Sequence, residues 1–496
     1  MPSRPPTGVS PAAQYQATII RLGRADPASP AQLNAQLAYA GFLLSGATGP
    51  SCAERVNRAQ EQLGSVAASP KTQVMFPGGW ALVADLEYRQ HLARAACGLP
   101  AERRDELLAA VEAARRAAEL YRKAFDYHSR VVMQFNSAIA LHRLGDNTAA
   151  LAALAAALRM DREYGFKDDA RENYALLLRW SGKRAGAAQV AALMHDFPSR
   201  RAVLKFGWYP SEGRITLARR RMSLTDGHTV RTDAAAAFER RITAVQGGGW
   251  SVSYAHRLTG YEPGVWPSAA DAAARQLVFP PAPLPAVDFK VSATGDFAGV
   301  TDSKAFAARL IARTDALIRA RAPSGPDRGA TRDAVATAAV ALSPGMLEAE
   351  TAEVYQLETA MWIGATLEQG VWYQISAPLA LPGLSRFILQ QRIEFAFTRR
   401  VPCTADAAAR SCVEIVIHAT PDQHALDNLL ADLGSSPVTK LDYAASTDAR
   451  IVVDPATLLP YTREERTYWY ASLGRSGADK ILQSDHLMCS TRYAVH

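Results

Sequence analysis

A helix pair built on small residues is the feature that most constrains how this chain folds. The stretch from Asn136 to Asp161 is NSAIALHRLGDNTAALAALAAALRMD, and its apolar residues recur at helical spacing on both sides of Gly145-Asp146. A Gly-Asp pair between two apolar-periodic segments ends one helix and starts the next. The small side chains of Ala138 and Ala150 suit a close crossing of two helices. The stretch therefore predicts two short antiparallel helices.

The same pattern returns along the chain, which indicates a repeat. Six of its positions recur at a shift of 37 residues (136 to 173), and these are Asn173, Ala175, Leu178, Gly182, Ala187 and Met194. Upstream, Ala117 and Ala124 precede Ala150 and Ala157 by 33 residues (117 to 150). A period in the mid-thirties built on helix pairs is typical of a helical solenoid. The order small–Leu–Gly–Ala–Ala resembles the tetratricopeptide repeat, a resemblance that ends near residue 200.

Further helix pairs are predicted before this repeat. Residues 1–30 are rich in Pro, Ala and Ser and are expected to form a flexible tail. Gln32 to Leu44 then predicts a helix, and Ser51 is placed to cap a second helix that runs to about Val66. Residues 79–127 predict another pair with a break at Gly98-Leu99-Pro100. The predicted repeat domain spans residues 31–200.

The chain changes character after Pro198, where alternating β-branched and aromatic residues predict strands. The predicted strands are Ile215–Leu224, Phe238–Val245, Trp250–Leu258, Phe289–Ala293, Glu353–Ala360, Gly370–Ala377, Phe387–Thr398, Val413–Ala419, Ala449–Val453, Thr467–Ala471 and Asp485–Tyr493. Predicted helices are Lys304–Arg321, Thr331–Leu342 and Asp422–Leu433. Strands on both sides of a helical insert near 303–342 predict one antiparallel β-rich domain over 201–496, or two smaller β domains.

The β-rich part resembles the antiparallel half-barrel domains of bacterial lipoprotein carriers. The resemblance rests on the order of elements, on GDFAGVTD at 295–302 before a helix, and on VVDPATLLP at 452–460 before a late strand. It implies a concave apolar cavity for a lipophilic molecule. The predicted fold class is an α+β multidomain protein, in which an all-α helical solenoid precedes a mostly antiparallel β-rich α+β domain.

Composition sets the broad class. The chain has 496 residues, of which 48% are hydrophobic and 21% charged, so it has enough apolar residues for a sizeable core. Its net charge of +7 is a mild basic excess that does not require nucleic acid as a partner. No apolar run is long enough for a transmembrane helix. The first residues lack the apolar core of a secretory signal, so we expect a cytoplasmic protein, or a periplasmic one whose signal was removed.

Five cysteines leave two alternatives open. Cys403 and Cys412 flank the turn-like insert TADAAARS between two predicted strands and could close a disulfide across a hairpin, and Cys52 and Cys97 could pair in the helical part. The alternative is five unrelated buried thiols. No paired Cys or His spacing typical of zinc accompanies them, so no metal site and no cofactor are predicted.

Candidate partner-binding residues come from the repeat. The first helix of each pair lines the concave surface of such an array, where polar side chains clamp a peptide or its carboxylate. The candidates are Asn136, His142, Arg143, Asn173 and Arg179. Asn both donates and accepts hydrogen bonds, and Arg pairs with carboxylates. The competing interpretation is that Asn satisfies helix ends and that Arg is simply solvated.

Catalytic motifs are weak. No nucleophile elbow, phosphate-binding loop or His-Glu-x-x-His is present. His418 and His424 flank Asp422, but a strand followed by a helix start does not bring them together by spacing alone. The predicted function is therefore a non-enzymatic scaffold of a bacterial assembly that binds a protein or peptide partner through its repeats. The alternatives are a carrier of a lipophilic small molecule and a hydrolase that uses His418, Asp422 or His486.

Overall fold

The computed structural model describes most of the chain. The described residues are 11–25, 30–45, 51–69, 72, 79–98, 100–182, 200–225, 228–262, 287–308, 344–381, 384–403, 411–422, 424–426, 428–429, 439–475 and 478–495. The predicted helix Thr331–Leu342 lies outside them. The chain divides into two compact units, Met1–Arg200 and Arg201–His496, called here the helical unit and the β-rich unit.

Consecutive helices form the described part of the helical unit. They are α1 (Pro11–Ala25), α2 (Pro30–Ser45), α3 (Cys52–Ala68), α4 (Gly79–Cys97), α5 (Pro100–Lys123), α6 (Tyr127–Leu144), α7 (Asn147–Tyr164) and α8 (Lys167–Trp180). Ala138 of α6 and Ala150 of α7 have no exposed surface, as expected where two helices cross closely.

Local capping explains where these helices begin and end. The side chain of Asp146 accepts a hydrogen bond from the Ala149 N–H at 3.0 Å, which satisfies a free donor of the first turn of α7. Gly145 follows α6 with a φ of 89°, a left-handed conformation that glycine adopts without steric cost. Asp126 caps α6 in the same way through Ser129. Ser51 precedes α3 as predicted, but its side chain makes no capping bond.

A disulfide joins α3 to α4. Cys52 and Cys97 are bonded, with their Cα atoms 5.7 Å apart. Around Cys52 lies a core cluster that includes Leu33, Val56 and Leu63. The first predicted pairing of cysteines is therefore present in the structure.

A single antiparallel sheet dominates the β-rich unit. Its strands are β2 (Ser211–Thr225), β3 (His228–Ala244), β4 (Trp250–Glu262), β5 (Phe289–Val291), β6 (Phe297–Val300), β8 (Trp372–Leu381), β9 (Leu384–Pro402), β10 (Ser411–Pro421), β11 (Thr439–Val453), β12 (Pro460–Arg475) and β13 (Ala478–Val495). The spatial order is β6-β5-β4-β3-β2-β13-β12-β11-β10-β9-β8. Two short strands, β1 (Arg201–Val203) and β7 (Thr366–Glu368), pair separately.

The predicted fold class is confirmed: an all-α unit precedes an antiparallel β-rich α+β unit. The β10 strand shows why the sheet is well defined, since Val413, Ile415 and Ile417 are buried on one face against Trp362 and Phe397. A second disulfide, Cys403–Cys412, closes the β9–β10 hairpin with Cα atoms 5.0 Å apart, which is the other predicted pairing.

One predicted strand is wrong. Glu353–Ala360 belongs to helix α9 (Pro344–Glu358) and the short 3-10 helix Ala360–Trp362 that follows it. Leu347, Tyr355 and Thr359 are buried, and their spacing of four or eight residues is that of one helix face. The Glu, Ala and Leu residues between them favour helix more strongly than the β-branched residues favour strand.

Candidate functional site

A cavity in the β-rich unit lies between the sheet and helix α9. Its volume is ≈ 290 Å³. Strands β3 to β5 supply Ile242, Val252 and Phe289 to its wall, and α9 supplies Tyr355. Trp208, from the segment before β2, completes the apolar part. Val354 also lines the cavity and is 45% exposed, so it marks the side that opens to solvent.

Backbone hydrogen bonds hold the segment that carries Trp208. Lys205 N–H donates to the Pro455 carbonyl at 2.8 Å, and Gly207 N–H donates to that of Thr457 at 3.4 Å. A Cβ at Gly207 would meet the Ala456 carbonyl oxygen at 2.8 Å, so only glycine allows this approach to the turn before β12. The tight turn in VVDPATLLP thus positions Trp208.

Tyr355 fixes the helix over the sheet. Its hydroxyl donates to the Gly295 carbonyl at 2.7 Å, and its ring lies 5.7 Å from that of Phe289. Burial raises the pKa of Tyr355, so the hydroxyl remains a donor at physiological pH. The turn that contains Gly295 and helix α9 are therefore joined at the cavity by a buried hydrogen bond.

Charged groups also reach the cavity wall. Arg240 of β3 is only 6% exposed. Glu358, at the end of α9, accepts a hydrogen bond from Arg463 at 3.1 Å. The Asp288 carboxylate accepts from the backbone N–H of Tyr254, another residue of the wall, at 2.8 Å. The site therefore combines an aromatic interior with a few fixed polar groups, the composition typical of small-molecule pockets.

Trp208 carries an unsatisfied donor. The residue is 7% exposed, and its Nε1, which has almost no accessible surface, has no hydrogen-bond partner within the described structure. Trp362, in the other core of the same unit, donates its Nε1–H to the Leu357 carbonyl at 2.8 Å. Buried polar groups in native proteins are nearly always paired, so Trp208 requires an explanation.

The predicted partner-binding residues are all in the described part of the helical unit. His142 lies at the end of α6, where its Nδ1 is 2.9 Å from the Asn147 Oδ1 and its ring stacks on Trp180 of α8 at 4.1 Å. This stacking brings the carboxyl ends of α6 and α8 side by side. Arg143 follows His142 in the chain and Arg179 precedes Trp180, and both arginines are exposed. Asn136 is partly buried in α6.

Asn173 is instead held in the interior of the helical unit. It is 4% exposed, and its amide donates to the Asp161 Oδ2 at 2.6 Å. Asp161 is fully buried, and this burial raises its pKa to about 7. Nearby, His128 pairs with Asp169 at 2.8 Å, which raises the pKa of the histidine. Asn173 thus links α7 to α8 through a buried hydrogen bond.

The histidines considered for catalysis have other neighbours. His418 Nδ1 lies 2.9 Å from the Asp448 Oδ1 on the adjacent strand, and its ring stacks on Trp372 at 5.1 Å. Asp422 accepts from the Ala425 N–H at 2.9 Å and so caps a helical turn. His424 is exposed. The side chain of His486 lies outside the described residues, so that part of the hydrolase hypothesis stays a prediction.

No residue of the cavity wall was predicted from the sequence as a site residue. The residues of the cavity wall come from segments that are far apart in the chain, and each of them on its own resembles a residue of the hydrophobic core. Within the described residues, no group of three or more His, Cys, Asp or Glu is placed to hold a metal ion. Nor does any described helix have the length and apolarity needed to cross a membrane.

Comparison with known proteins does not assign this chain to a family. No protein-family model matches the chain, and no curated protein matches it. A solved structure described as lipid–protein interactions in lipovitellin is similar over 57% of this chain and 25% of that chain, with 12% identity and a TM-score of 0.29. A match at this level defines no family, so the tetratricopeptide and half-barrel resemblances stay predictions and function is argued from the site.

Proposed function

We propose that this protein is a non-enzymatic binding protein that holds one small lipophilic molecule in the cavity of the β-rich unit. The observation that supports this proposal is the cavity itself, which has an aromatic interior and an open side at Val354. Its volume of ≈ 290 Å³ lies just below the range of about 300–1,000 Å³ for ligand pockets. That size suits a single ring system or a short chain and is small for a two-chain lipid.

The first test is to identify what the purified protein carries. We expect mass spectrometry of an organic extract to detect one apolar compound in about one-to-one ratio with the chain.

The second test blocks the cavity. Val354→Trp places a large ring at the mouth without overpacking the interior, and should abolish binding. Val371→Trp is the matched control, because Val371 is 40% exposed in the same unit and does not line the cavity.

Two results would contradict the proposal. One is a purified protein that contains no apolar compound and takes up no apolar probe. The other is a bound compound whose affinity is the same in Val354→Trp and in the wild type, because the compound would then lie elsewhere.

A second function is supported by one observation in the helical unit. We propose that the carboxyl ends of α6 and α8 bind an acidic segment of a protein or peptide partner. The support for this proposal is that His142 stacks on Trp180, that the chain neighbours of these two residues, Arg143 and Arg179, are exposed, and that arginine pairs well with carboxylates. This retains the scaffold interpretation of the repeat, now with His142, Arg143 and Arg179 as its residues.

The full-length chain tests this second function. A double variant, Arg143→Glu with Arg179→Glu, should lose the partners that the wild type captures after cross-linking. Arg159→Glu is the control, because Arg159 is also exposed but lies on α7. Equal capture by all three proteins would refute binding at this edge.

A further inference from the structure

Strand β8 lies at one edge of the large sheet and lacks the features that usually keep an edge strand from pairing with another chain. We propose that β8 pairs with β8 of a second copy of this chain, so that two sheets join edge to edge in a dimer. This association is independent of the ligand cavity, because β8 contributes no residue to the cavity wall.

The outer side of β8 has no partner strand among the described residues. The strand lies at one end of the sheet order and pairs on its inner side with β9, from Trp372 opposite Ala396 to Leu381 opposite Leu384. It has 10 residues, whereas β6, at the other end of the sheet, has 4. A short edge strand limits pairing with other chains, and a long one permits it.

The sequence around β8 carries no charge. From Gln369 to Ser385 it reads QGVWYQISAPLALPGLS, without Lys, Arg, Asp or Glu. Natural edge strands often carry charges, especially Lys, because a charge opposes pairing with another strand. Pro378 and a register shift between Ala380 and Leu381 interrupt only the second half of β8. The first half, 372–377, is therefore suited to pairing.

Both faces of this first half present apolar surface to solvent. Trp372 is 40% exposed and Ile375 is 38% exposed, and their side chains point to opposite faces of the sheet. Ile375 lies opposite Ile393, which is buried in the core, so the apolar face of the sheet continues to the edge. An added strand would remove both side chains from water, which favours association.

Two aromatic side chains of the edge are already held in place. The ring of Trp372 stacks on that of His418 with the centroids 5.1 Å apart. The Tyr373 hydroxyl accepts a hydrogen bond from the Glu368 N–H at 2.9 Å. Side chains that are ordered before association lose little conformational entropy when a partner binds. The edge is therefore preorganised.

A second copy of β8 matches this uncharged edge in its own side chains. Antiparallel pairing around a two-fold axis at Gln374 places this residue opposite its own copy, and the two amides can donate to and accept from each other. Tyr373 then lies opposite Ile375 of the second copy, and Trp372 lies opposite Ser376. An aromatic side chain opposite a β-branched one is a favourable cross-strand pair, and no like charges meet.

Sedimentation of the full-length chain tests the dimer. One strand edge buries a small area, so we expect a concentration-dependent equilibrium between monomer and dimer. Ile375→Lys adds an edge charge twice in the symmetric interface, and it should weaken association by about tenfold or more. Thr243→Lys is the matched control, because Thr243 is exposed on β3, away from this edge, and the added charge is the same.

A charge exchange at Gln374 provides a second test, which does not depend on the folding of Ile375→Lys. Gln374 is exposed, so the fold tolerates a charge there. Gln374→Glu places two carboxylates opposite each other at the axis and should shift the protein to monomer. Mixed with Gln374→Lys, it should form the dimer again, because opposite charges then meet. This recovery is specific to pairing of β8 with β8.

Four results would overturn the proposal. One is a wild-type chain that stays monomeric at up to about 100 μM. Another is a dimer that Ile375→Lys and Gln374→Glu leave unchanged, because its interface would then lie elsewhere. A dimer that Thr243→Lys weakens equally would reflect net charge alone. A wild-type chain that sediments with a different protein, which Gln374→Glu releases, would assign the edge to that protein and not to a second copy.

Discussion

Asp161 is a buried carboxyl that makes the helical unit sensitive to pH. Burial raises its pKa from 3.8 to about 7 in the folded chain. Because the folded state holds the proton more tightly than the unfolded state, stability is greatest below the unfolded pKa and falls as pH rises through the folded pKa. We expect the helical unit to lose about 2–3 kcal/mol between about pH 5 and about pH 8.

Asp161→Asn tests this dependence, since an amide does not ionise and still accepts from Asn173 through its oxygen. Most of the pH dependence of helix unfolding, followed by circular dichroism, should disappear. A smaller part should remain because the bond to Asp169 raises the pKa of His128, which also weakens stability as pH rises. Asp146→Asn, at an exposed helix cap, is the control. Identical pH profiles in the wild type and Asp161→Asn would exclude this cause.

Asn173 shows a limit of prediction at the level of one residue. It has the residue type and the repeat position expected for partner binding, and yet it is 4% exposed. What decides its role is Asp161 on the preceding helix, 12 residues away. A sequence pattern specifies a helix face, but not which polar side chain on a neighbouring helix will meet it.

Gly295 illustrates how a turn positions a secondary-structure element. Its φ is +95°, and a Cβ there would collide with Ile363 and Phe206. Its carbonyl accepts from the Tyr355 hydroxyl of α9. We expect Gly295→Ala to cost roughly 2–4 kcal/mol, because backbone strain adds to overpacking, and to weaken ligand binding by displacing α9.

Gly364→Ala is the matched control for that variant. Gly364 also has a positive φ of +75°, but no heavy atom lies within 4 Å of a Cβ placed there. It should cost only about 1 kcal/mol in chemical denaturation. If the two variants lose equal stability, packing around Gly295 does not contribute to the cost of Gly295→Ala.

Each disulfide closes a loop within its own unit, one in the helical unit and one in the β-rich unit, and the loop length predicts which of them stabilises more. Cys52–Cys97 spans 45 residues and Cys403–Cys412 spans 9. In the chain-entropy model, removing the first should cost about 4 kcal/mol and removing the second about 2.6 kcal/mol. Cys52→Ser and Cys403→Ser, compared by thermal unfolding without reductant, test the order. Free thiols at these positions in non-reducing peptide mapping would contradict this prediction. They would also argue against an oxidising compartment, in which disulfides form and persist.

The elements of this fold were predictable to different degrees for physical reasons. Strands with one buried face, such as β5 with Phe289 and Val291 buried and Lys290 exposed, show clear alternation, and the helix pair from Asn136 to Asp161 has clear caps. Helix α9 was mistaken for a strand over Glu353–Ala360, because a short mixed segment carries little periodicity. The sequence alone does not predict the cavity, because its wall consists of Trp208, β3 to β5 and α9, and only the folded sheet brings these elements together.

The whole molecule has two compact units with separate hydrophobic cores. We therefore expect calorimetry of the full-length chain to show two unfolding transitions. The two units should respond to different conditions. The pH-sensitive residues Asp161 and His128 belong to the helical unit, whereas the ligand cavity belongs to the β-rich unit. Raising the pH from about 5 to about 8 should lower one transition, assigned to the helices by circular dichroism.

Ligand should act on the other transition. A molecule that binds only the folded β-rich unit stabilises it by RT ln(1 + [L]/Kd), which is about 2.7 kcal/mol at a concentration of one hundred times Kd. The apolar compound extracted from the purified protein should therefore raise the transition that pH leaves nearly fixed, and Val354→Trp should remove this effect. A single transition that responds equally to pH and to ligand would mean that the two units unfold together, in contradiction to the separate cores on which this prediction depends.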